Sequence, residues 1–238
     1  MLHQLIKKAK SLGNFERAAH SQYFFKTGPG QYGAGDIFLG LIVPEVRSLA
    51  REFKDLSLAD IEILLADKVH DLRLIGLIIL VKRYQTVKTD KERKVIYKFY
   101  LEHRAAANNW DLVDLSVYNI VGDYLCRYPK ERKILYKLVK SKNIWDRRIA
   151  IVSTMAFIRQ GETEDTLKLA AALLDDQEDL IHKASGWMLR ELGKRHVEKL
   201  TVFLNEYGNR MPRTMLRYAI EKFSESQRQH YLKIKKIS

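Results

Sequence analysis

The spacing of apolar residues along the chain predicts a protein built almost entirely of α-helices. Apolar positions recur with the 3.6-residue period of a helix, no segment sustains the two-residue alternation of a half-buried strand, and only four prolines interrupt the pattern. Residues that favour helix starts and ends divide this pattern into helices joined by short turns, as antiparallel pairs require. The predicted helices span residues 2–12, 15–26, 44–54, 57–67, 70–86, 90–107, 110–126, 129–141, 144–160, 163–175, 179–195, 197–208, 212–223 and 225–236.

Four of these helices carry an aspartate at their start, at nearly regular intervals. Asp71, Asp111, Asp146 and Asp179 are 40, 35 and 33 residues apart (111 − 71, 146 − 111 and 179 − 146). A carboxylate in the first turn complements the helix dipole, which explains each residue locally. The period, however, is that of two-helix repeats, which stack into an extended concave surface. We therefore predict an all-α fold, an α-solenoid of HEAT-like helical repeats with a concave binding face, in a single domain at 1–238.

One segment interrupts the helical pattern. The stretch from Thr27 to Asp36 contains four of the twelve glycines, so we predict a loop at 27–36. It does not follow a strand, and it lacks the Gly-Lys-Ser/Thr ending of a phosphate-binding P-loop. A flexible connector and a loop that approaches a nucleic-acid backbone are both open interpretations.

Asp114 is placed on the apolar side of its predicted helix. An advance of about 100° per residue puts it on one stripe with Trp110, Val117 and Val121. Burying an isolated charge inside such a stripe costs free energy. Asp114 therefore either pairs with another charge or belongs to a functional site.

Arg148 shows the same anomaly with the opposite sign. It shares a stripe with Ile144, Ile151 and Met155, where an aliphatic side chain is expected. One interpretation is a buried ion pair between Asp114 and Arg148 on adjacent helices. The other is a shared cleft that holds an ionised carboxylate.

Trp187 is predicted to lie opposite the apolar stripe of its helix, flanked by Lys183, Arg190 and Lys194. A tryptophan most often packs in a core, so a contact with a neighbouring helix is one interpretation. In a basic face, an aromatic ring can also stack on bases or attract cations while the lysines bind phosphate.

The charge of the chain favours a polyanionic partner. The sequence has 42 Lys and Arg against 29 Asp and Glu, a formal charge of +13 and a pI of about 9.6.

The sequence lacks a signal-peptide pattern and any run of about 18 apolar residues, so we predict a cytoplasmic protein with no membrane partner, nucleoid-associated when bound to DNA. The seven histidines lack helical metal-site pairing and Cys126 is the only cysteine, so we predict no metal, no cofactor and a packed, noncatalytic thiol.

Three motifs occur in order along the chain. They are Trp110-Asp111-Leu112-Val113-Asp114 with Gly122-Asp123, then Asn143-Ile144-Trp145 with Arg148, then Lys183-Ala184 with Gly186-Trp187 and Leu189-Arg190-Glu191. In content and spacing, and over nearly the whole chain, they resemble the AlkD family of bacterial DNA alkylation-repair glycosylases, which are built from HEAT-like repeats.

The resemblance implies an activity and the residues that perform it. Asp114 matches the family's catalytic aspartate, Trp110 and Trp187 match its paired cleft tryptophans, and Arg148 matches its cleft arginine. The family excises positively charged alkylated purines, such as N3-methyladenine and N7-methylguanine, without flipping the lesion into a pocket.

The resemblance further implies a site tyrosine near the N-terminus, which corresponds to Tyr23, with Tyr32 of the glycine-rich loop as a rival. The implied partner is double-stranded DNA containing alkylated purines, bound by a monomer. The alternative function is that of a noncatalytic HEAT-repeat protein that binds nucleic acid or another acidic partner. The predicted DNA-binding residues are Arg148, Tyr23, Lys183, Arg190 and Lys194.

The proposed chemistry suits these residue types. A purine methylated at N3 or N7 is positively charged, so it departs as a neutral base and needs no general acid. An ionised Asp114 can stabilise the cationic sugar of the transition state and orient water toward C1′. Trp110 and Trp187 can hold the deoxyribose and attract positive charge. Arg148 can bind a phosphate, so we expect it to point mainly at DNA rather than at Asp114.

Overall fold

The protein is all-helical in a computed structural model that describes residues 1–234. Within those residues the only β-type pairing is an isolated bridge between Ile37 and Val69. The predicted all-α fold class is confirmed, and the last two residues of the predicted helix 225–236 lie outside the described part of the chain. The chain forms two compact units, Met1–Ile120 and the residues from Val121 onward.

The first unit is organised around one long central helix. That helix, α5, is surrounded by others, because twelve of its seventeen residues are buried and it packs against α3, α4, α6 and α7. A helix that is apolar on most sides belongs in a core. The helices of this unit are α1 (Leu2–Ser11), α2 (Phe15–Phe24), α3 (Val43–Glu52), α4 (Leu58–Leu65), α5 (His70–Thr86), α6 (Asp90–Glu102) and α7 (Trp110–Val117), with a 3₁₀ turn at Arg104–Ala106.

The second unit is organised around α13, which packs against α10, α12, α14 and α15. Its described helices are α8 (Asp123–Arg127), α9 (Lys133–Leu138), α10 (Ile144–Ser153), α11 (Met155–Arg159), α12 (Glu164–Ala172), α13 (Asp179–Gly193), α14 (Val197–Tyr207), α15 (Arg213–Ala219) and α16 (Glu225–Lys233), with a 3₁₀ turn at Pro129–Arg132. No helix within residues 1–234 combines the length and apolar character needed to cross a membrane.

Two glycines of the sequence motifs allow helices to approach closely. A Cβ atom on Gly186 would lie 2.5 Å from the carbonyl oxygen of Met215 on α15, and one on Gly122 would lie 2.4 Å from that of Ser153 on α10. Real Cβ contacts are not this short, so any side chain at either position would push the two helices apart. These glycines are therefore explained by packing.

The helix boundaries agree best where the apolar period is uninterrupted. The prediction for α5, 70–86, matches the structure at both ends. The predicted helix 110–126 is helical throughout, with a π-helical turn at Tyr118–Gly122 between α7 and α8. The predicted helix 144–160 is instead divided at Thr154. The hydroxyl groups of Ser153 and Thr154 donate to the carbonyls of Ile149 and Ile151, and such bonds compete with the backbone pattern of a helix.

Candidate functional site

Trp110 and Asp114 lie at the start of α7 in the first unit. The side chain of Asn109, which is fully buried, accepts a hydrogen bond of 2.8 Å from the backbone N–H of Trp110 and caps this end of the helix. Trp110 and Asp114 are half-buried, whereas Val117 on the same stripe is completely buried. The stripe predicted from the sequence therefore runs from a partly exposed end into the core, with the carboxylate near the exposed end.

The negative charge of Asp114 acts on a buried phenol. Tyr100 on α6 is fully buried and shares a hydrogen bond of 2.9 Å with the hydroxyl of Ser116. Burial raises the pKa of Tyr100, and the charge of Asp114 raises it further despite that hydrogen bond. Tyr100 therefore stays neutral, and Asp114 has a neutral hydroxyl group rather than a second anion in its surroundings.

Two phenylalanines support the ring of Trp110. The ring of Phe25 stacks on it with centroids 5.4 Å apart, and the ring of Phe24 meets it edge to face at 6.0 Å. Such pairs add roughly 0.5–1.5 kcal/mol beyond their burial, so they hold the indole in one orientation. Sequence reasoning missed both residues, although three consecutive aromatics at positions 23–25 were a signal.

The structure places the two candidate tyrosines differently from these phenylalanines. Tyr23 is 76% exposed, and the ammonium group of Lys26 lies 4.7 Å from its ring centroid. Tyr32 is half-buried in the glycine-rich loop. The aromatic side chains of this region that contact Trp110 through their rings include Phe24 and Phe25. A role for Tyr23 at the site stays a prediction.

A buried network of charges lies behind this aromatic cluster. Nδ1 of His70 is 3.1 Å from Oδ2 of Asp36, and Nε2 is 2.8 Å from Oδ2 of Asp111, the residue after Trp110. Arg73 donates to the other oxygen of Asp36 at 2.7 Å. His70, Asp36 and Arg73 are each more than nine-tenths buried. The network joins the start of α5 to the start of α7 and to the end of the glycine-rich loop.

The carboxylates favour the charged form of His70. Burial lowers the pKa of this imidazole, but the hydrogen bonds to Asp111 and Asp36 outweigh burial and leave the pKa raised. Burial raises the pKa of Asp36, but His70 and Arg73 reverse that effect and leave it lowered. Two cations and two carboxylates therefore stabilise one another within the first unit.

Aromatic rings connect this network to Trp110. The ring of Phe38 stacks on His70 at 4.5 Å, and the ring of Phe25 lies 5.1 Å from His70 as well as 5.4 Å from Trp110. At its end the glycine-rich loop is tied down, because Asp36 also accepts a hydrogen bond of 3.1 Å from the side chain of Asn108. The orientation of Trp110 thus depends on side chains from α2, α5 and the loop.

Arg148 lies in the second unit, on α10. It is 5% exposed, and its Nη1 donates a hydrogen bond of 2.6 Å to the carbonyl oxygen of Leu180 on α13. The apolar neighbours that the sequence assigns to its stripe, Ile151 and Met155, are buried with it. Its neighbour Arg147 donates to Asp176 at 2.6 Å. Arg148 thus lies on the apolar stripe, as the sequence predicts, and its guanidinium group is bonded to α13. A contact of Arg148 with DNA stays a prediction.

Trp187 lies on α13, opposite a fully buried stripe, as the sequence predicts. The stripe residues are Ile181, Ala184, Ser185, Met188 and Leu192, and Trp187 itself is half-buried. All three flanking basic residues have carboxylate partners. Lys183 lies 2.9 Å from Asp179, Lys194 lies 2.7 Å from Glu191, and Arg190 contacts both Glu191 and Glu221.

The sequence predicts no metal site and a noncatalytic Cys126. No group of three or more His, Cys, Asp or Glu side chains in the described part of the chain is arranged to hold a metal ion. Cys126 is half-buried, and burial raises its pKa to about 11, so its reactive thiolate form is rare at neutral pH.

The amino-acid sequence matches a known protein family. Residues 5–223 match the sequence model of the DNA alkylation repair enzyme family, which covers nearly the whole chain. The protein therefore belongs to the DNA alkylation repair enzyme family. No curated protein matches the sequence significantly.

Two solved structures share the fold. One is described as a predicted DNA alkylation repair enzyme from Enterococcus faecalis, with a TM-score of 0.70 and 18% identity, covering 90% of this chain and 97% of its own. The other is smu.31 from Streptococcus mutans UA159, with a TM-score of 0.53 and 15% identity, covering 94% of this chain and 99% of its own. Identities this low show a common fold and do not extend to substrates.

Proposed function

We propose that the protein is a DNA N-glycosylase that hydrolyses the N-glycosidic bond of cationic alkylated purines, such as N3-methyladenine and N7-methylguanine, in duplex DNA. The observation that carries the proposal is the pair formed by Trp110 and Asp114. Both are half-buried on one stripe of α7, and Trp110 is held by the stacked ring of Phe25. A fixed aromatic face beside a carboxylate suits a substrate that carries positive charge.

The chemistry assigns Asp114 the central role. Alkylation at N3 or N7 makes the base a cation that departs as a neutral molecule, so the enzyme needs no general acid. The sugar becomes cationic as the bond breaks, and a carboxylate preorganised at that point lowers the barrier. Asp114 also orients the water that attacks C1′. It is a catalytic residue in this proposal. Trp110 of the first unit and Trp187 of the second are the other proposed catalytic residues, each through its own contact with the DNA.

Arg148 and the basic residues of α13 are the proposed DNA contacts in the second unit. Arg148 donates a hydrogen bond to the Leu180 carbonyl, which orients its guanidinium group, and a planar fork of donors suits a phosphate. Lys183, Arg190 and Lys194 must exchange carboxylate partners for phosphates. The side chains of Lys183 and Lys194 are exposed, and exposed ion pairs are worth only about 0–1 kcal/mol, so exchange at these two lysines costs little. The side chain of Arg190 is only 19% exposed, so its exchange costs more. Tyr23, exposed at the end of α2, is a further proposed contact.

The decisive experiment measures release of N7-methylguanine from methylated duplex DNA. Asp114→Asn keeps the size of the side chain and removes its charge, so we expect excision to fall at least about tenfold, which corresponds to roughly 1.4 kcal/mol of barrier. Duplex affinity should stay similar or rise slightly, because a negative charge near DNA is gone. Asp90→Asn removes one exposed carboxylate from α6 of the same unit and is the matched control.

The outcomes separate the two candidate functions. Wild-type excision by a folded Asp114→Asn protein refutes the assigned role of that carboxylate. Tight duplex binding without release of any alkylpurine by the wild-type protein supports a noncatalytic nucleic-acid-binding protein instead.

A further inference from the structure

A basic pocket lies at the opposite end of α5 from the charge network. It is a concavity of about 430 Å³ in the first unit, formed where α3 and α5 end. Its cationic residues are Arg51, Lys54, Lys82 and Arg83, and the acidic residue that lines it is Asp55. Four positive charges therefore face one negative charge in a concave surface.

These cations lack the carboxylate partners that the basic residues of α13 have. Among the described residues, no Asp or Glu oxygen lies within ion-pair distance of Arg51, Lys54 or Lys82, and the hydrogen bond made by Arg83 goes to the carbonyl of Leu56. On α13, by contrast, Lys183, Arg190 and Lys194 are all paired. The unneutralised positive charge thus lies in the basic pocket rather than around Trp187.

Interaction with helix ends explains the positions of only two of the four cations in the basic pocket. Arg51 and Arg83 occupy the last turns of α3 and α5, where a cation interacts favourably with the helix dipole. Lys54 lies beyond the end of α3, and Lys82 precedes the last turn of α5. The helix dipole does not explain these two lysines, and each lines a concavity that it shares with other cations.

The pocket and the contact of His70 with Asp111 lie at opposite ends of α5. That helix begins at His70, which bonds to Asp111 beside Trp110. Lys82 is twelve residues further along (82 − 70), or about 18 Å at 1.5 Å per residue. Successive phosphates on one strand of B-DNA rise by about 3.4 Å, so this rise along α5 corresponds to about five base-pair steps.

We propose that the basic pocket binds phosphates of the duplex backbone on one side of the lesion and extends the DNA footprint beyond the catalytic residues. This inference rests on the proposed function for the position of the lesion at Trp110. The ligand is a phosphodiester, and Lys54 and Lys82 are its principal contacts. Their role is to bind DNA, and they take no part in the chemical step.

The test compares two double variants of equal charge. Lys54→Glu with Lys82→Glu alters the pocket. Lys91→Glu with Lys98→Glu alters two exposed lysines of α6 that likewise have no carboxylate of the described residues within ion-pair distance. Binding to an undamaged duplex of about 20 base pairs is measured at several salt concentrations. We expect the pocket variant to lose at least about tenfold in affinity and to reduce the salt slope by about two, since each phosphate contact contributes about 0.9.

A second experiment tests how far from the lesion the pocket contacts the duplex. Single-turnover excision is measured on a duplex with a central N7-methylguanine that extends about four base pairs on each side, and on one that extends about ten. The pocket variant should need more enzyme for half-maximal rate on the long duplex only, with an unchanged maximal rate on both. Inorganic pyrophosphate, added as a competitor, distinguishes a free-phosphate site from a backbone site.

The outcomes separate a backbone-binding pocket from a free-phosphate site and from a pocket that does not bind DNA. Equal losses in the two variants, or none in the pocket variant, overturn the proposal, and so does pyrophosphate that binds the pocket as tightly as the long duplex does. Weakened binding to undamaged duplex without any excision by the wild-type protein supports the pocket while refuting the glycosylase. Circular dichroism and thermal melting confirm that both variants are folded.

Discussion

The surroundings of Trp110 and Trp187 differ in how their charges are arranged. Behind Trp110, in the first unit, His70 and Arg73 are buried with Asp36 in a shared network. Beside Trp187, in the second unit, Lys183 and Lys194 lie at the surface of α13, each in an ion pair with a carboxylate. Both tryptophans are half-buried, so the contrast comes from their supports rather than from the rings themselves.

The contrast shows that charged residues serve two different purposes in this protein. The side chains of a buried network cannot easily exchange partners, because removal of one member leaves another charge unpaired in a low-dielectric region. Exposed pairs are weak and can exchange their carboxylates for phosphates. We infer that the first arrangement fixes the position of Trp110 and that the second leaves the face around Trp187 available to a polyanion.

The largest expected effect comes from breaking the buried network. Arg73→Met leaves Asp36 with one cation fewer in a buried position, so unfolding should become easier by roughly 3–5 kcal/mol. Lys194→Met, at the exposed pair, should change the free energy of unfolding by no more than about 0.5 kcal/mol. Urea denaturation of both variants measures the difference. Similar values for the two would remove the distinction between the units.

A pH series sharpens the same comparison. The folded-state pKa of His70 is raised above 6.5, so its stabilisation is fully present below that value and is lost as the pH rises through the folded pKa. The free energy of unfolding of the wild type should exceed that of His70→Gln by roughly 1.5–3 kcal/mol near about pH 6. This difference should become smaller toward about pH 9. His3→Gln, at an exposed position of α1, should show no such trend. A gap that stays constant with pH would contradict a charged His70.

Substrate preference tests the aromatic face and carboxylate of the first unit. A site that contacts the sugar and attracts positive charge places few limits on the size of the base, whereas a closed pocket rejects added bulk. We expect N7-methylguanine and a bulky N7-alkylguanine to be released at least about tenfold faster than hypoxanthine, a difference of roughly 1.4 kcal/mol. The three lesions are compared in one duplex context. Efficient hypoxanthine release with rejection of the bulky cation would instead indicate a base pocket.

The smallest effects should come from the paired cations of α13. Lys183→Met and Lys194→Met each remove one cation whose carboxylate partner already offsets its charge, so each should lower the salt slope of duplex binding by less than about 0.9. Undamaged and methylated duplexes should give the same slope. Binding by the wild-type protein that does not vary with salt between about 50 and 200 mM would point to an apolar protein partner.

The sequence by itself determined the helices, the buried stripes and the oddly placed polar residues. Periodicity identified α5 at both ends and the stripe below Trp187, because a helix repeats its exposure every 3.6 residues. It also identified Asp114 and Arg148, since a charge on an apolar stripe is visible without coordinates. The aspartates that begin α5, α7, α10 and α13 do occupy first turns, as predicted.

Only the tertiary structure decided what those residues contact. The four first-turn aspartates look equivalent in the sequence, yet Asp71 accepts from two backbone N–H groups, Asp111 binds His70 and Asp179 pairs with Lys183. Phe25 reaches Trp110 from 85 residues away (110 − 25), and Asp36 reaches Arg73 across 37 (73 − 36). Local periodicity fixes which side of a helix faces inward, but partners distant in sequence are set by how the helices and the glycine-rich loop pack together.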